Sequence, residues 1–420
     1  VRPLLEPGDV VLIKGSAETR MEQVTAGLLA PHVDAAAVLV RQERAFAVRA
    51  GTPDRPTWLE IDLAAIAANT QAVANIVGPD VRILATLKAD AYGHGALRVA
   101  RTVLQHGAWG LAVATLGEAL ALRDAGIGAP ILILGYTPPW QVRDAIRRDV
   151  RLAVFDADTA REIGAAAYEL QHPAIVHLKI DTGMARLGTH PEGALPLLRR
   201  LSELAGVTVE GIFTHLATAD SADERFAREQ LRRWQAVLLA AEAEGLRPPL
   251  AHAANSAALL RFPAAHYEMV RPGVAIYGLS PSPETPLPAR FHAALSFKTE
   301  IAQLKDLPAG APVSYGGAWI AERPSRIATV PVGYADGFRR SPGWRYVLVR
   351  GRRAPVVGRV AMDYAMLDVT DIPDARTGDE VVLIGAQGAE RISADDVAGW
   401  LGTINYEVVA GILPRVPRIV

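Results

Sequence analysis

Ile83-Leu84-Ala85-Thr86-Leu87-Lys88-Ala89-Asp90-Ala91-Tyr92-Gly93-His94-Gly95 carries an apolar β-type run up to a single lysine and then breaks into a glycine-flanked turn. A lysine delivered to the rim of a sheet or barrel can be neutralised by burial, and a neutral amine is a nucleophile. Taken alone, such a lysine is more often a solvated strand end. Lys88 does not stand alone. Its own run, 81–88, is followed by others at 109–115, 130–136, 151–155, 174–181, 209–215, 250–255 and 269–276. Between most of them lies one amphipathic stretch with helical periodicity, such as 117–125 or 223–243. Alternating strand and helix patterns predict a parallel α/β fold. Eight such repeats over roughly 200 residues or more match a closed (β/α)8 barrel of the TIM type. A doubly wound open sheet has the same local pattern, since a count does not show closure.

After Gly278 the texture changes. Pro281, Pro283, Pro286 and Pro288 crowd a short connector, which reads as a domain boundary. Beyond it, short β runs at 294–304, 326–332, 346–349, 355–360, 365–369 and 380–384 are separated by glycine turns. They predict a mostly antiparallel C-terminal β domain. The expected division is 1–54, 55–283 (barrel) and 284–420 (β domain). In the first piece, 8–15 reads as a strand, 19–29 as a helix, and 35–40 with 44–49 as a hairpin. It is too small to bury a core unaided.

Composition narrows the function. Half of the 420 residues are hydrophobic and the formal net charge is −1, so the chain is globular and has no electrostatic case for nucleic acid. It contains no cysteine, which excludes disulfides and zinc–thiolate sites. No apolar stretch reaches the length of a membrane span, and no signal-peptide pattern is seen. A cytoplasmic enzyme is expected. The first residue is Val1, so the chain is expected to be part of something longer or the product of a non-AUG start.

Polar groups gather where the barrel strands end, which is where this fold builds active sites. Lys88 ends the first run. Lys179 and Asp181, then Arg186, follow the fifth, His215 the sixth, Asn255 and Ser256 the seventh, and Arg271-Pro272-Gly273 lies on the eighth. Each has a plain alternative: Asn255-Ser256 is a common helix cap, His215 a core histidine, Arg271 an ion-pair partner. Their convergence is harder to dismiss. A serine opening a helix, with the amides of Gly273 and Val274 nearby, suits a phosphate. A strand-end lysine can form an imine with an aldehyde. Together they point to pyridoxal phosphate. No Walker motif or well-placed GxGxxG favours a nucleotide, and no HExxH spacing favours a metal.

These residues resemble the alanine racemase family, fold-type III pyridoxal-phosphate enzymes. The likeness runs from about Thr57 to about Arg418. Besides the lysine stretch, it is carried by the segments 177–188, 271–273, 314–316, 333–337, 359–363 and 405–407. The resemblance implies that Lys88 holds the cofactor and acts as the base on the D-face, with Tyr315 as the opposite base. In the family that tyrosine comes from a second subunit, so a homodimer with shared sites is implied. Arg271 matches the arginine facing the pyridine nitrogen, with His215 hydrogen-bonded behind it. Tyr92, Asn255, Ser256, Gly273, Val274 and Tyr406 match other cofactor positions. Arg186 and the Met362 amide match those gripping the substrate carboxylate. Lys179 matches a lysine often carbamylated in the family. Ala361 stands where cysteine is common, Ala185 where glycine is common, and Ile419-Val420 where an aromatic is frequent.

Residues 7–22 lie outside that likeness. They resemble the C-terminal tail of the UDP-N-acetylmuramoyl-tripeptide–D-alanyl-D-alanine ligase, without its ATP-binding loop. Among rival readings, a fold-type III decarboxylase would place a carboxylate where Arg271 stands. The single-barrel pyridoxal-phosphate homeostasis protein lacks a β domain. A broad-specificity exported racemase would need a signal peptide.

Overall fold

The computed structural model describes residues 55–420. The strand, helix and hairpin expected before residue 50 lie outside the described residues. Strand β1 (Thr57–Ile61) comes first, followed by β2 (Arg82–Thr86), β3 (Gly110–Val113), β4 (Ile131–Ile133) and β5 (Val150–Val154). Then come β6 (Ala174–Lys179), β7 (Val207–Phe213), β8 (Leu250–His252) and β9 (Met269–Val270). β2 to β9 are all parallel, in the order β8-β7-β6-β5-β4-β3-β2-β9. The seam between β8 and β9 is bridged by Arg271 N donating to Ala254 O at 2.8 Å and by the Glu268 carboxylate accepting from Ala251 N at 2.9 Å. The expected (β/α)8 barrel is therefore the fold observed.

Several of the helices start where the sequence supplies caps. Asp62 accepts from Ala65 N at the head of Leu63–Val77, and Asp156 from Thr159 N ahead of Ala157–Leu170. Thr115 and Glu118 form a reciprocal capping box for Leu116–Asp124, which satisfies otherwise orphaned amides. The barrel strands end a few residues earlier than the apolar runs. Carbonyls at those ends are engaged by side chains: Tyr277 Oη donates to Thr86 O at 2.8 Å, and Arg271 donates to Thr214 O at 2.7 Å and Ala253 O at 3.2 Å.

Past the barrel, β10 (Leu295–Glu300), β11 (Gln303–Leu307), β12 (Pro312–Val313), β13 (Trp319–Ile320) and β14 (Ser325–Val330) begin the second part. β15 (Tyr346–Val349), β16 (Arg352–Val357), β17 (Ala365–Asp368), β18 (Glu380–Gln387), β19 (Glu390–Ile392) and β20 (Arg418–Ile419) complete it. Its main sheet runs β11-β14-β17-β16-β15-β18-β10-β1-β20 and is antiparallel except at β1–β20. β1, which precedes the barrel in sequence, thus pairs with β10 and not with a barrel strand. Two short helices, Ala394–Leu401 and Asn405–Ala410, also belong to this part. Among the described residues no helix is long and apolar enough to cross a membrane.

Candidate active site

Lys88 does not end a strand. It opens a left-handed helical turn in which Ala89, Asp90, Ala91 and Tyr92 all have φ between 52° and 55°. Each non-glycine residue in this region costs roughly 1–2 kcal/mol, so neighbours must hold the turn. Glu118 accepts from Ala89 N at 2.7 Å and from Ala114 N at 2.7 Å. Asp90 accepts from Ala96 N at 2.7 Å. The buried His94 ring places Nδ1 within 3.0 Å of both Ala91 O and Tyr92 O. Lys88 and Tyr92 are thereby both aimed at the barrel mouth.

Lys88, Tyr92, Lys179, Arg186, His215, Asn255, Ser256, Arg271, Gly273, Val274 and Tyr406 all line one cavity of about 540 Å³. That size is ordinary for a small-molecule site. Two lysines and two arginines face it against one acid, Glu407, so it favours an anion. Burial, then the charge of Arg186, lowers the Lys88 pKa, with Glu118 opposing. Lys179 is lowered to about 8 by burial and by Arg271 and Arg186. Its Nζ donates to Leu134 O at 3.1 Å.

Ser256 Oγ accepts from Gly273 N at 2.9 Å and Ala275 N at 3.2 Å. A Cβ on Gly273 would lie 2.5 Å from Tyr92 Oη. Glycine is what lets that hydroxyl reach the turn. Asn255 caps Ser256–Arg261 through Ala258 N at 2.9 Å, so the helix-cap reading and the cavity position hold together. Asp181 Oδ1 accepts from the amides of Gly183, Met184 and Ala185 and so shapes the loop that carries Arg186.

Behind Arg271 the expected His215 is joined by a second histidine. His215 Nδ1 is 3.5 Å from Arg271 Nη2, whereas His252 Nδ1 is 2.8 Å from Nη1. The closely bonded partner is His252, because it shares the inward face of β8 with Leu250. Burial, then Arg271, keeps both imidazoles well below the usual histidine range. A histidine inside an apolar strand, two positions from an inward leucine, is the signal that could have found it.

Tyr315 and Met362 do not line the cavity. They stand 63% and 53% exposed on the β part. Loops 314–317, 333–337 and 358–364 are tied side by side: Ser314 Oγ donates to Arg359 O, Tyr334 N to Ala361 O and Ala335 N to Met362 O. Tyr334 and Tyr364 on these loops are exposed as well. Ser314, with φ 66°, turns the chain into Tyr315, and the Arg340 guanidinium lies 6.0 Å from the tyrosine ring centroid.

Residues 61–281 match the family model for the alanine racemase N-terminal domain, and residues 294–420 match that for the C-terminal domain. An alanine racemase of Symbiobacterium thermophilum is 47% identical over 365 residues, covering 87% of this chain and 97% of the relative. One from Desulfovibrio desulfuricans is 44% identical over 367 residues, covering 87% and 98%. The crystal structure of alanine racemase from Bacillus anthracis with bound L-Ala-P superimposes with a TM-score of 0.83 at 40% identity, covering 88% of this chain and 95% of that one.

Proposed function

The chain belongs to the alanine racemase family, and from that premise we propose that it interconverts L- and D-alanine with pyridoxal 5′-phosphate, using Lys88 and Tyr315 as opposed bases. The observation that carries this reading is the cationic cavity at the barrel mouth with Lys88 in its wall. The residues fit the cofactor. The hydroxyls of Tyr92, Ser256 and Tyr406 and the amides of Gly273 and Val274 would hold the phosphate, and the glycine at 273 keeps that cradle open. When bound, pyridoxal phosphate supplies an aldehyde for the substrate amine and a ring that takes up charge from Cα.

Arg271 would face the ring nitrogen. Its guanidinium is pinned by Thr214 O, His252 O, Ala253 O and His252 Nδ1, and a guanidinium does not readily yield a proton. A ring nitrogen beside it stays an acceptor, which restrains charge uptake and so disfavours loss of the amino group. Arg186 and the Met362 amide would hold the substrate carboxylate. Lys88, its charge disfavoured by burial, can take or return a proton at Cα. Racemisation needs a second base on the opposite face. Tyr315, exposed and outside the cavity of its own chain, would serve the cavity of a second copy, so the working enzyme is a homodimer.

Lys179, with an amine whose pKa is about 8 between Arg271 and Arg186, is suited to carbamylation. The resulting anion would orient Arg186. No ligase activity is assigned to residues 1–54, and ATP-dependent ligation by this chain would refute that. The direct test of function is L-alanine in D₂O: loss of optical rotation with deuterium entering Cα is expected. No exchange in pyridoxal-loaded protein would overturn the reading, and CO₂ release would replace it with decarboxylation.

A further inference from the structure

Beneath Arg271 a line of polar side chains runs down the barrel interior, a space that such barrels ordinarily fill with branched apolar residues. Arg271 Nη1 is 2.8 Å from His252 Nδ1 and His252 Nε2 is 2.8 Å from His177 Nδ1. His177 Nε2 is in turn 3.0 Å from Glu210 Oε2. Arg151 closes the line with contacts of 2.7 and 3.1 Å to the two Glu210 oxygens. Both imidazoles are fully buried.

The chain is shaped to hold this line. Val176 pairs with Val209 but His177 with Gly211, so Glu210 is the extra residue of a bulge in β7, a device that re-aims a side chain. A Cβ on Gly211 would lie 2.3 Å from His177 Nδ1; glycine there makes room for the ring.

Proton bookkeeping gives the line one direction. A guanidinium only donates and an ionised carboxylate only accepts. His252 Nδ1 therefore accepts from Arg271 and carries its proton on Nε2. It donates to His177 Nδ1, which leaves the His177 proton on Nε2, pointed at Glu210. The reversed tautomers would set N–H against N–H at Arg271. Although burial pushes the Glu210 carboxyl up, hydrogen bonds from His177 and Arg151 and the charge of Arg151 hold it at about 2. The acceptor end is thus kept ionised.

We infer that Glu210, backed by Arg151, is a positioning residue for racemisation: it fixes the tautomers of His177 and His252 and through them the guanidinium of Arg271. Glu210 does not line the cavity. The inference rests on the reading that Arg271 faces the cofactor ring nitrogen.

Neutron diffraction from the holoenzyme tests the direction without any variant: deuterons are expected on Nε2 of His252 and of His177, with none on Glu210. A deuteron on Nδ1 of either ring would overturn the inference. Glu210→Gln tests the role, because its amide replaces an acceptor-only end with one that can also donate. Outer partners that orient a working group are worth roughly ten- to a hundredfold at metal centres. For Glu210→Gln a fall in kcat of about tenfold is expected, with KM for alanine changed by less than about twofold. Pyruvate released per racemisation turnover should rise, the amino group staying behind on the cofactor. Unchanged kcat and pyruvate yield would overturn the inference. Arg271→Lys separates the two layers. If it raises the pyruvate yield while Glu210→Gln does not, only the role of Glu210 falls. If Arg271→Lys moves neither quantity, the underlying reading of Arg271 has failed.

Discussion

The barrel mouth and the exposed loop face of the β part are opposites. The mouth gathers Lys88, Lys179, Arg186 and Arg271 into one cavity; Lys179 and Arg271 are held by bonds within the chain, and burial disfavours the charge of both lysines. The loop face presents Tyr315, Tyr334, Met362 and Tyr364, all exposed among the described residues. One region gathers residues suited to a cofactor, and under the proposal it lacks a second base. The other holds the candidate base outside that cavity. Under the proposal above, each chain carries half of a site and two copies supply each other's missing half.

The largest effect is expected on the mouth side. Lys88→Ala should lose both cofactor attachment and one base, a fall beyond the roughly 10²–10⁴-fold that a single acid–base group contributes. Borohydride reduction and peptide mapping should find cofactor on Lys88 in the unmodified chain and none in the variant. Labelling elsewhere would break the contrast, since the mouth would then not be the cofactor's seat.

How much of this contrast was legible in the sequence depends on the range of the forces involved. The eight barrel strands are apolar because both faces are buried, so they stood out as runs. Their ends did not, because side chains remote in sequence, Arg271 and Tyr277, engage the last carbonyls. The left-handed turn was invisible: Ala89, Asp90, Ala91 and Tyr92 include no glycine, and Glu118 and His94 hold it from elsewhere in sequence. Nothing local in Thr57–Ile61 marks it as a partner of Leu295–Glu300. The helix Ala394–Leu401 was missed, although Ser393 and Asp396 form a capping box that announces it. Lys88, Arg271 and Ser256 were legible as strand-end chemistry, whereas the role of His252 emerges only from its neighbours in space.

A smaller effect would sharpen the electrostatics of the mouth. Below a pH of about 8 the Lys179 amine is protonated and cannot react with CO₂; above it the amine is free. Bicarbonate should therefore raise kcat progressively as pH rises through that value, and Lys179→Ala should abolish the response. A high-resolution map showing a bare amine at Lys179 would remove the carbamate from the account.

The smallest effect concerns the Arg186 loop. Ala185 has φ 55° where the family commonly has glycine. Relieving one left-handed alanine should make Ala185→Gly more stable by about 0.5–1 kcal/mol, read from urea unfolding. A loss of stability would mean that the Asp181 cap tolerates the conformation at no cost.

The shared site is tested most directly by co-expressing Lys88→Ala and Tyr315→Phe chains, each inactive alone. In a mixed dimer one cavity has neither substitution and the other has both. With half of the dimers mixed, about a quarter of the unmodified activity is expected. Activity no higher than that of the two parent variants would contradict the shared site and place Lys88 and Tyr315 in the same chain's site.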